Sequence, residues 1–366
     1  MGRYDIAIIG MGCVFPKANS VAEYWRNILT GDPYFKKMPT DLWRLDNFYS
    51  PDRSQAAKSY TTTGSFIEGF EFPFADYKLP PKALKGVDPA QLVTLEATRE
   101  ALADAGIEPR SEELLRAITL IGCSGVDMFA HSTTVLKRHS YLEHLRAELA
   151  ERGVPADQIE ALAEQFGDAL QARGHVWNPS VAAVGSITSS VSNRVAQVFG
   201  IGGFNMTCDA ACASSFVALD AACHALMAGD TRLAIAGGTD LGTNPSIYIG
   251  FSRVEGLSEK GEANPFDHTA DGLVIGEGTG VVVLKKLEDA LADGDRVRAV
   301  IRGVGSSSDG AGQAIYAPSA DGRALALRNA LEVAETKSDD VQFLEAHATA
   351  TVVGDANEYD AISMVY

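Results

Sequence analysis

The sequence predicts an α/β fold built on a largely parallel sheet, and three observations carry that reading. Short apolar runs that close on glycine recur along the chain, the pattern of strands buried on both faces. Between them lie alanine-rich or amphipathic runs with a capping residue in front and a glycine behind, the pattern of helices. The two kinds alternate, as they do in βαβ units. With 366 residues, 46% of them hydrophobic, the chain can bury a large core, as one large domain or two similar halves. No linker or low-complexity segment divides it.

The elements follow in order. "DIAIIG" (5–10) reads as a buried strand, and "SVAEYWRNILTG" (20–31) as a helix with a Ser cap and a terminal Gly. "LVTLEATREALADAG" (92–106) repeats the helix design, and "AITLIGCSG" (117–125) is the next strand. Residues 132–174 are charged and amphipathic and read as an inserted helical hairpin. "SVAAVGSITSSVSNRVAQVFG" (180–200) reads as a tightly packed helix. "FNMTC" (204–208) is a strand, a helix begins at Cys212 and stops at Gly229, and "LAIAGGTD" (233–240) is a strand. "GTGVVVLKKLEDALADGD" (278–295) gives a strand feeding a short helix, and "VRAVIRGVGSSSDG" (297–310) another strand. "DGRALALRNALEVA" (321–334) is a helix, "VQFLEAHATAT" (341–351) a strand, and "DANEYDAISMVY" (355–366) opens a helix.

The formal net charge of −17 excludes nucleic acid and anionic membrane as the main partner, because both need a concentrated positive surface. An acidic protein could still dock on a local basic patch. Arg253, Lys260, Arg296 and Arg298 are candidates for one, or plain solvated charges. Five cysteines, odd in number and scattered, fit a reducing compartment better than a disulfide framework. "MGRYDIAIIG" is no signal peptide, and no uninterrupted apolar run reaches the length of a bilayer span. These features predict a soluble, cytoplasmic protein.

Chemistry concentrates at "TCDAACASSF" (207–216). A strand turning sharply into a helix puts Cys212 at the positive end of the helix dipole, where the reactive thiolate is favoured. Its own N–H can face the oxyanion formed when a thioester is attacked. Ala210, Ala211, Ala213, Ser214 and Ser215 leave room for a tight turn and an approaching substrate, the surroundings of an acyl-transfer nucleophile. The other reading, a small buried residue, stands beside it, since free cysteines often serve that way. Cys208 and Cys223 are assigned to packing. Cys208 and Cys212 straddle the turn, so their four-residue spacing does not make a zinc pair. In "EAHATATVVGD" (345–355), His347 follows a strand within small residues, where an imidazole could move a proton or stabilise charge on a thioester oxygen. A hydrogen-bonded core histidine is the alternative. The other six histidines receive no role.

These stretches together resemble the β-ketoacyl synthases of the thiolase-fold condensing enzymes. "DAACASS" matches the Asp-Ala-Ala-Cys signature, and "PFDHTADGLVIGEGTGVVVLKKLEDA" (265–290) resembles the Phe-Asp…Asp-Gly…Gly-Glu-Gly segment. "EAHATATVVGD" resembles Glu-Ala-His-Gly-Thr-Gly-Thr…Gly-Asp, and "IIGMGCVFPKANSVAEYWRNILTG" the opening of polyketide-type members. The insertion, "GVGSSSDG", "IYAPSADGRALALRNA" and "VVGDANEYDA" most resemble ketosynthases of polyunsaturated-fatty-acid, enediyne and glycolipid synthases. The resemblance implies a layered αβαβα fold of two duplicated halves. The N-terminal half would span about 1–300 with its insertion at about 132–174, and the C-terminal half would begin at about 301–366. It implies acyl transfer from a carrier protein's phosphopantetheine to Cys212, then decarboxylative condensation with a malonyl thioester, with no bound cofactor or metal. His347 would stabilise the enolate, and Thr349 and Thr351 would contact the pantetheine arm. An acyl carrier protein is the implied partner and a homodimer the implied assembly, with "GGFNMTCD" (202–209) at its interface.

Two departures stand out. Ala348 and Ala350 replace the two motif glycines, which bears on the shape of that loop. Family members also continue past the equivalent of Tyr366, through a segment carrying a Lys, a second His and a Gly/Phe-rich loop. The expectation is therefore an incomplete second half, and the rival function is a catalytically incomplete ketosynthase-like chain that dimerises or complements a partner chain. A dinucleotide-binding reading of "IIGMGCVF" fails because Phe15 replaces the third glycine and Pro16 follows. The Gly-x-Ser-x-Gly elbow of serine hydrolases does not occur in the sequence.

Overall fold

The computed structural model describes residues 5–31, 33–39, 45–77, 87–124, 138–173, 185, 187–242, 244–311 and 317–366. The strands are β1 (Ile6–Val14), β2 (Lys36–Lys37), β3 (Thr63–Ser65), β4 (Ile118–Gly122), β5 (Asn205–Cys208), β6 (Ala234–Asp240), β7 (Ile275–Gly276), β8 (Gly278–Lys286) and β9 (Ala299–Ile301). The helices are α1 (Val21–Thr30), α2 (Leu45–Phe48), α3 (Pro89–Asp104), α4 (Arg138–Glu151), α5 (Ala156–Arg173) and α6 (Ser190–Phe199). They continue with α7 (Ser214–Ala228), α8 (Pro245–Arg253), α9 (Leu287–Asp293), α10 (Ala320–Val333) and α11 (Val352–Ser363).

The main sheet has the order β5-β4-β6-β8-β1-β9. It is mixed, which corrects the expectation of a largely parallel sheet. β5, β4 and β6 run parallel, but β8 is antiparallel to both β6 and β1, and β9 is antiparallel to β1. The apolar runs announce buried strands without announcing direction, because both faces of the sheet are covered. α7 covers one face, where Ala218, Ala222 and Leu226 meet Leu120, Ala236 and Leu284. α3 and α6 cover the other, where Leu95, Ala101 and Val195 meet Ala7, Ile9 and Val283. A smaller sheet, β2-β3-β7, closes over a cluster of Met38, Tyr60, Phe66 and Tyr248.

Glycines set how closely the helices sit. A Cβ at Gly12 would stand 2.0 Å from the Ala97 carbonyl oxygen, and one at Gly10 2.2 Å from that of Ala101. α3 therefore lies backbone-close on β1. β1 continues through both glycines to Val14, with a register shift between Ile8 and Gly10, so "IIGMG" makes no strand-to-helix turn of the dinucleotide type.

Other expectations are refined. α1 carries the expected Ser20 cap and Gly31 stop. The helix expected over 180–200 is described only as α6, and 180–184 and 186 lie outside the described residues. Residues 341–351 form no strand. Their accessibility varies along the run, but among the described residues no neighbouring strand pairs with them, and Phe343 is 79% exposed. Of the insertion expected over 132–174, the hairpin of α4 and α5 is present, held by buried Leu142, Ile159 and Ala163 and by Arg146 bonded to Glu160, while 132–137 and 174 lie outside the described residues. The segment Ala211–Ala228 meets the length and hydropathy of a membrane span, although the run is not uninterrupted. It carries Asp220 and His224, and α7 within it packs one face onto the sheet.

Candidate active site

Hydrogen-bond register lines up the strand ends that support the site. Cys208 pairs with Gly122, Gly122 with Gly238, Gly238 with Gly280, and Gly280 with Cys13. At this row the chain leaves β5 and turns toward α7. The helix proper starts at Ser214, and Cys212 sits just before it, in a single 3₁₀ turn over Ala211–Ala213. The turn approaches the sheet because a side chain there is missing: a Cβ at Gly122 would stand 2.4 Å from the Ser214 backbone.

Turning this sharply forces Ala211 into the left-handed region, φ 50°. For a residue with a Cβ this costs roughly 1–2 kcal/mol, so neighbouring bonds must hold it. The Ala211 N–H donates to Asp209 Oδ1 at 2.9 Å, and the Ala211 carbonyl accepts from Ser214 Oγ at 2.7 Å. The same Ser214 oxygen accepts from the Ala210 N–H at 2.8 Å. Asp209 and Ser214 thus clamp the strained residue from both sides and leave Cys212 exposed.

His347 comes close to this thiol from the other end of the sequence, and the two side chains act on each other. His347 is the main cause that holds the Cys212 thiol below its ordinary pKa, and Cys212 in turn raises His347. Both directions favour the thiolate–imidazolium form of the pair. The dipole argument from sequence is joined by a stronger, specific partner.

The His347 loop is held by main-chain bonds to two carboxylates on α11. Glu358 accepts the His347 N–H at 2.7 Å and the Ala348 N–H at 2.8 Å. Asp355 accepts the Ala350 N–H at 3.0 Å and, through its other oxygen, the Phe266 N–H at 2.7 Å. Ala348 and Ala350, the residues that replace motif glycines, lie at φ 50° and 60°. The loop keeps a glycine-type backbone without glycine, enforced by those carboxylates. Thr349 Oγ1 and Thr351 Oγ1 lie 3.0 Å apart in the same loop.

A cavity of about 500 Å³ opens beside the thiol, with Phe15, Phe216, Leu219 and Val282 on its wall together with Cys212 and Asp240. Cys208 and Cys223 do pack: Cys223 is fully buried, and burial raises the Cys208 thiol. Of the candidate basic residues, Arg253 donates to the Arg53 carbonyl, and Arg298 is ion-paired with Asp104 while its main-chain N–H donates to the Ile8 carbonyl.

A thiol presented on a clamped turn beside an imidazole, on this layered scaffold, defines a class: condensing enzymes of the thiolase-like fold. Residues 3–290 match the family model for the beta-ketoacyl synthase N-terminal domain, and residues 298–366 match that for its C-terminal domain. The chain belongs to the β-ketoacyl synthase family. It is 34% identical over 363 residues to a phenolphthiocerol/phthiocerol polyketide synthase polypeptide of Mycobacterium bovis, covering 99% of this chain and 18% of that protein. It is 31% identical to a polyunsaturated fatty acid synthase polypeptide of Thraustochytrium sp., covering 99% of this chain and 13% of that one. The chain thus spans less than a fifth of these relatives. Among solved structures, the oxazolomycin ketosynthase domain of Streptomyces albus superposes with a TM-score of 0.80 at 28% identity, over 99% of this chain and 56% of that one.

Proposed function

We propose that this chain is a ketosynthase of polyketide or fatty-acid type, with Cys212 as acyl acceptor and His347 as its proton and charge partner. The approach of His347 to Cys212, close enough for each to shift the other's proton affinity, carries the reading. In the first half-reaction the Cys212 sulfur attacks the carbonyl of an acyl thioester. The bond from that carbonyl to the carrier's sulfur breaks, and the carrier thiol leaves with the proton that Cys212 gave up to His347. In the second, a malonyl thioester loses carbon dioxide and the electrons of the broken C–C bond form an enolate, whose oxygen His347 stabilises. The enolate carbon attacks the acyl-cysteine, a new C–C bond forms, and the Cys212 thiolate is released.

The acyl groups travel on the phosphopantetheine of an acyl carrier protein, with Thr349 and Thr351 along the arm. The assembly is a homodimer joined through β5, an edge strand of the main sheet where Met206, and Phe204 just before it, are exposed. The working compartment is the cytoplasm. The test is to load the protein from a butyryl thioester and add a malonyl thioester. Formation of the six-carbon β-keto thioester with release of carbon dioxide supports the reading. Cys212 acylation with no condensed product under any carrier contradicts the condensing step.

A further inference from the structure

Among the described residues that line the cavity beside Cys212, one side chain is formally charged: Asp240, the last residue of β6. Among the described residues that line this cavity, no side chain offers it a counter-charge. Thr239 Oγ1 and Thr279 Oγ1 satisfy one another at 2.6 Å, and the remaining wall is glycine, alanine, serine, cysteine and apolar side chains. Asp240 Oδ1 accepts the Gly242 N–H at 2.8 Å, which fixes the carboxylate on the rim. We propose that Asp240 makes acyl loading charge-selective, admitting neutral acyl groups to Cys212 and holding back acyl groups that carry a carboxylate. The proposal deepens the reading of Cys212 as acyl acceptor and rests on it. Its chemical use is plain. The same site must take its acyl group from a neutral chain and then meet a malonyl thioester without being acylated by it. A fixed negative charge in the same cavity as the sulfur opposes that wrong transfer by Coulomb repulsion. The field of Asp240 also reaches the thiol itself, acting to raise it against the pull of His347.

The experiment compares loading of Cys212 from butyryl and succinyl thioesters, two chains of equal length that differ in a terminal carboxylate. In each transfer the Cys212 sulfur–carbonyl bond forms and the bond to the leaving thiol breaks. Asp240→Asn keeps the acceptor oxygen for the Gly242 amide, and Asp240→Glu keeps the charge. Asp339→Asn, in the exposed 3₁₀ turn Ser338–Asp340, removes one charge elsewhere. The butyryl-to-succinyl rate ratio should fall about three- to ten-fold in Asp240→Asn at low ionic strength, less in high salt. It should hold in Asp240→Glu and Asp339→Asn. Any general change in thiol reactivity cancels in the ratio. An unchanged ratio in Asp240→Asn, or an equal fall in Asp339→Asn, overturns the proposal. Alkylation by neutral iodoacetamide reports separately on the nucleophile. If Cys212 reacts no faster than the other cysteines, the underlying reading fails, and the proposal with it.

Discussion

The Cys212 thiol and the His347 imidazole lie close enough to shift each other's proton affinity, although one side chain rides a turn before α7 and the other a loop before α11. The sign of the consequence is definite. His347 lowers the thiol pKa, so thiolate is present at lower pH than for an ordinary cysteine. His347→Ala removes the lowering cause. The pH profile of Cys212 alkylation by iodoacetamide should shift upward, with the plateau rate at high pH little changed. An unshifted profile would contradict the pairing.

Ser214 is a positioning residue for that thiol, since its hydroxyl bridges the Ala211 carbonyl and the Ala210 N–H. Ser214→Ala should slow acyl loading about ten-fold or more through misplacement of Cys212. Ser214→Thr should restore most of the rate. Overall stability should fall only by about 1–2 kcal/mol in the alanine variant, measured by urea unfolding.

Ala348 lies at positive φ, so a change to glycine relieves steric strain there. Ala348→Gly is expected to leave stability unchanged or raise it by up to about 1 kcal/mol. Ala147→Gly, inside α4, should instead cost about 1 kcal/mol. Equal losses at both positions would contradict the left-handed backbone at Ala348.

Lys285 is buried in the sheet and bonded to Glu113 at 2.7 Å, Asp295 at 2.8 Å and Asp293 at 3.1 Å. Burial alone would lower its pKa, but these three partners reverse that and hold it protonated. Lys285→Met would leave three carboxylates facing one another and should cost about 3 kcal/mol. The pH dependence follows from Asp293, whose pKa Lys285 depresses. Its contribution is present above the unfolded carboxylate pKa and lost as pH falls through the folded one. The stability gap between wild type and Lys285→Met should therefore narrow in strongly acidic urea titrations.

Much of this was legible in the sequence, for reasons that also mark where legibility ends. Cys212 shows itself because a strand, a tight turn of small residues and a helix follow one another within a few positions. Helix limits at Ser20, Gly31 and Gly229 are local chemistry and fall where the residues place them. The insertion of β8 between β6 and β1 is not local, and no periodicity encodes which strand it joins. Asp355 and Glu358 escape for a related reason. Their targets are main-chain amides, which carry no side-chain signature, and the available hint was two carboxylates three residues apart in the opening turns of α11. Asp240 closes a strand like any turn residue, and its importance emerges once Cys212 shares its cavity.

The most direct test is mass measurement of the protein after exposure to an acyl thioester, followed by peptide mapping. A single acyl adduct on Cys212, absent in Cys212→Ala and strongly slowed in His347→Ala, is the predicted result. An adduct that persists in Cys212→Ala, or loading that ignores the loss of His347, would contradict the account.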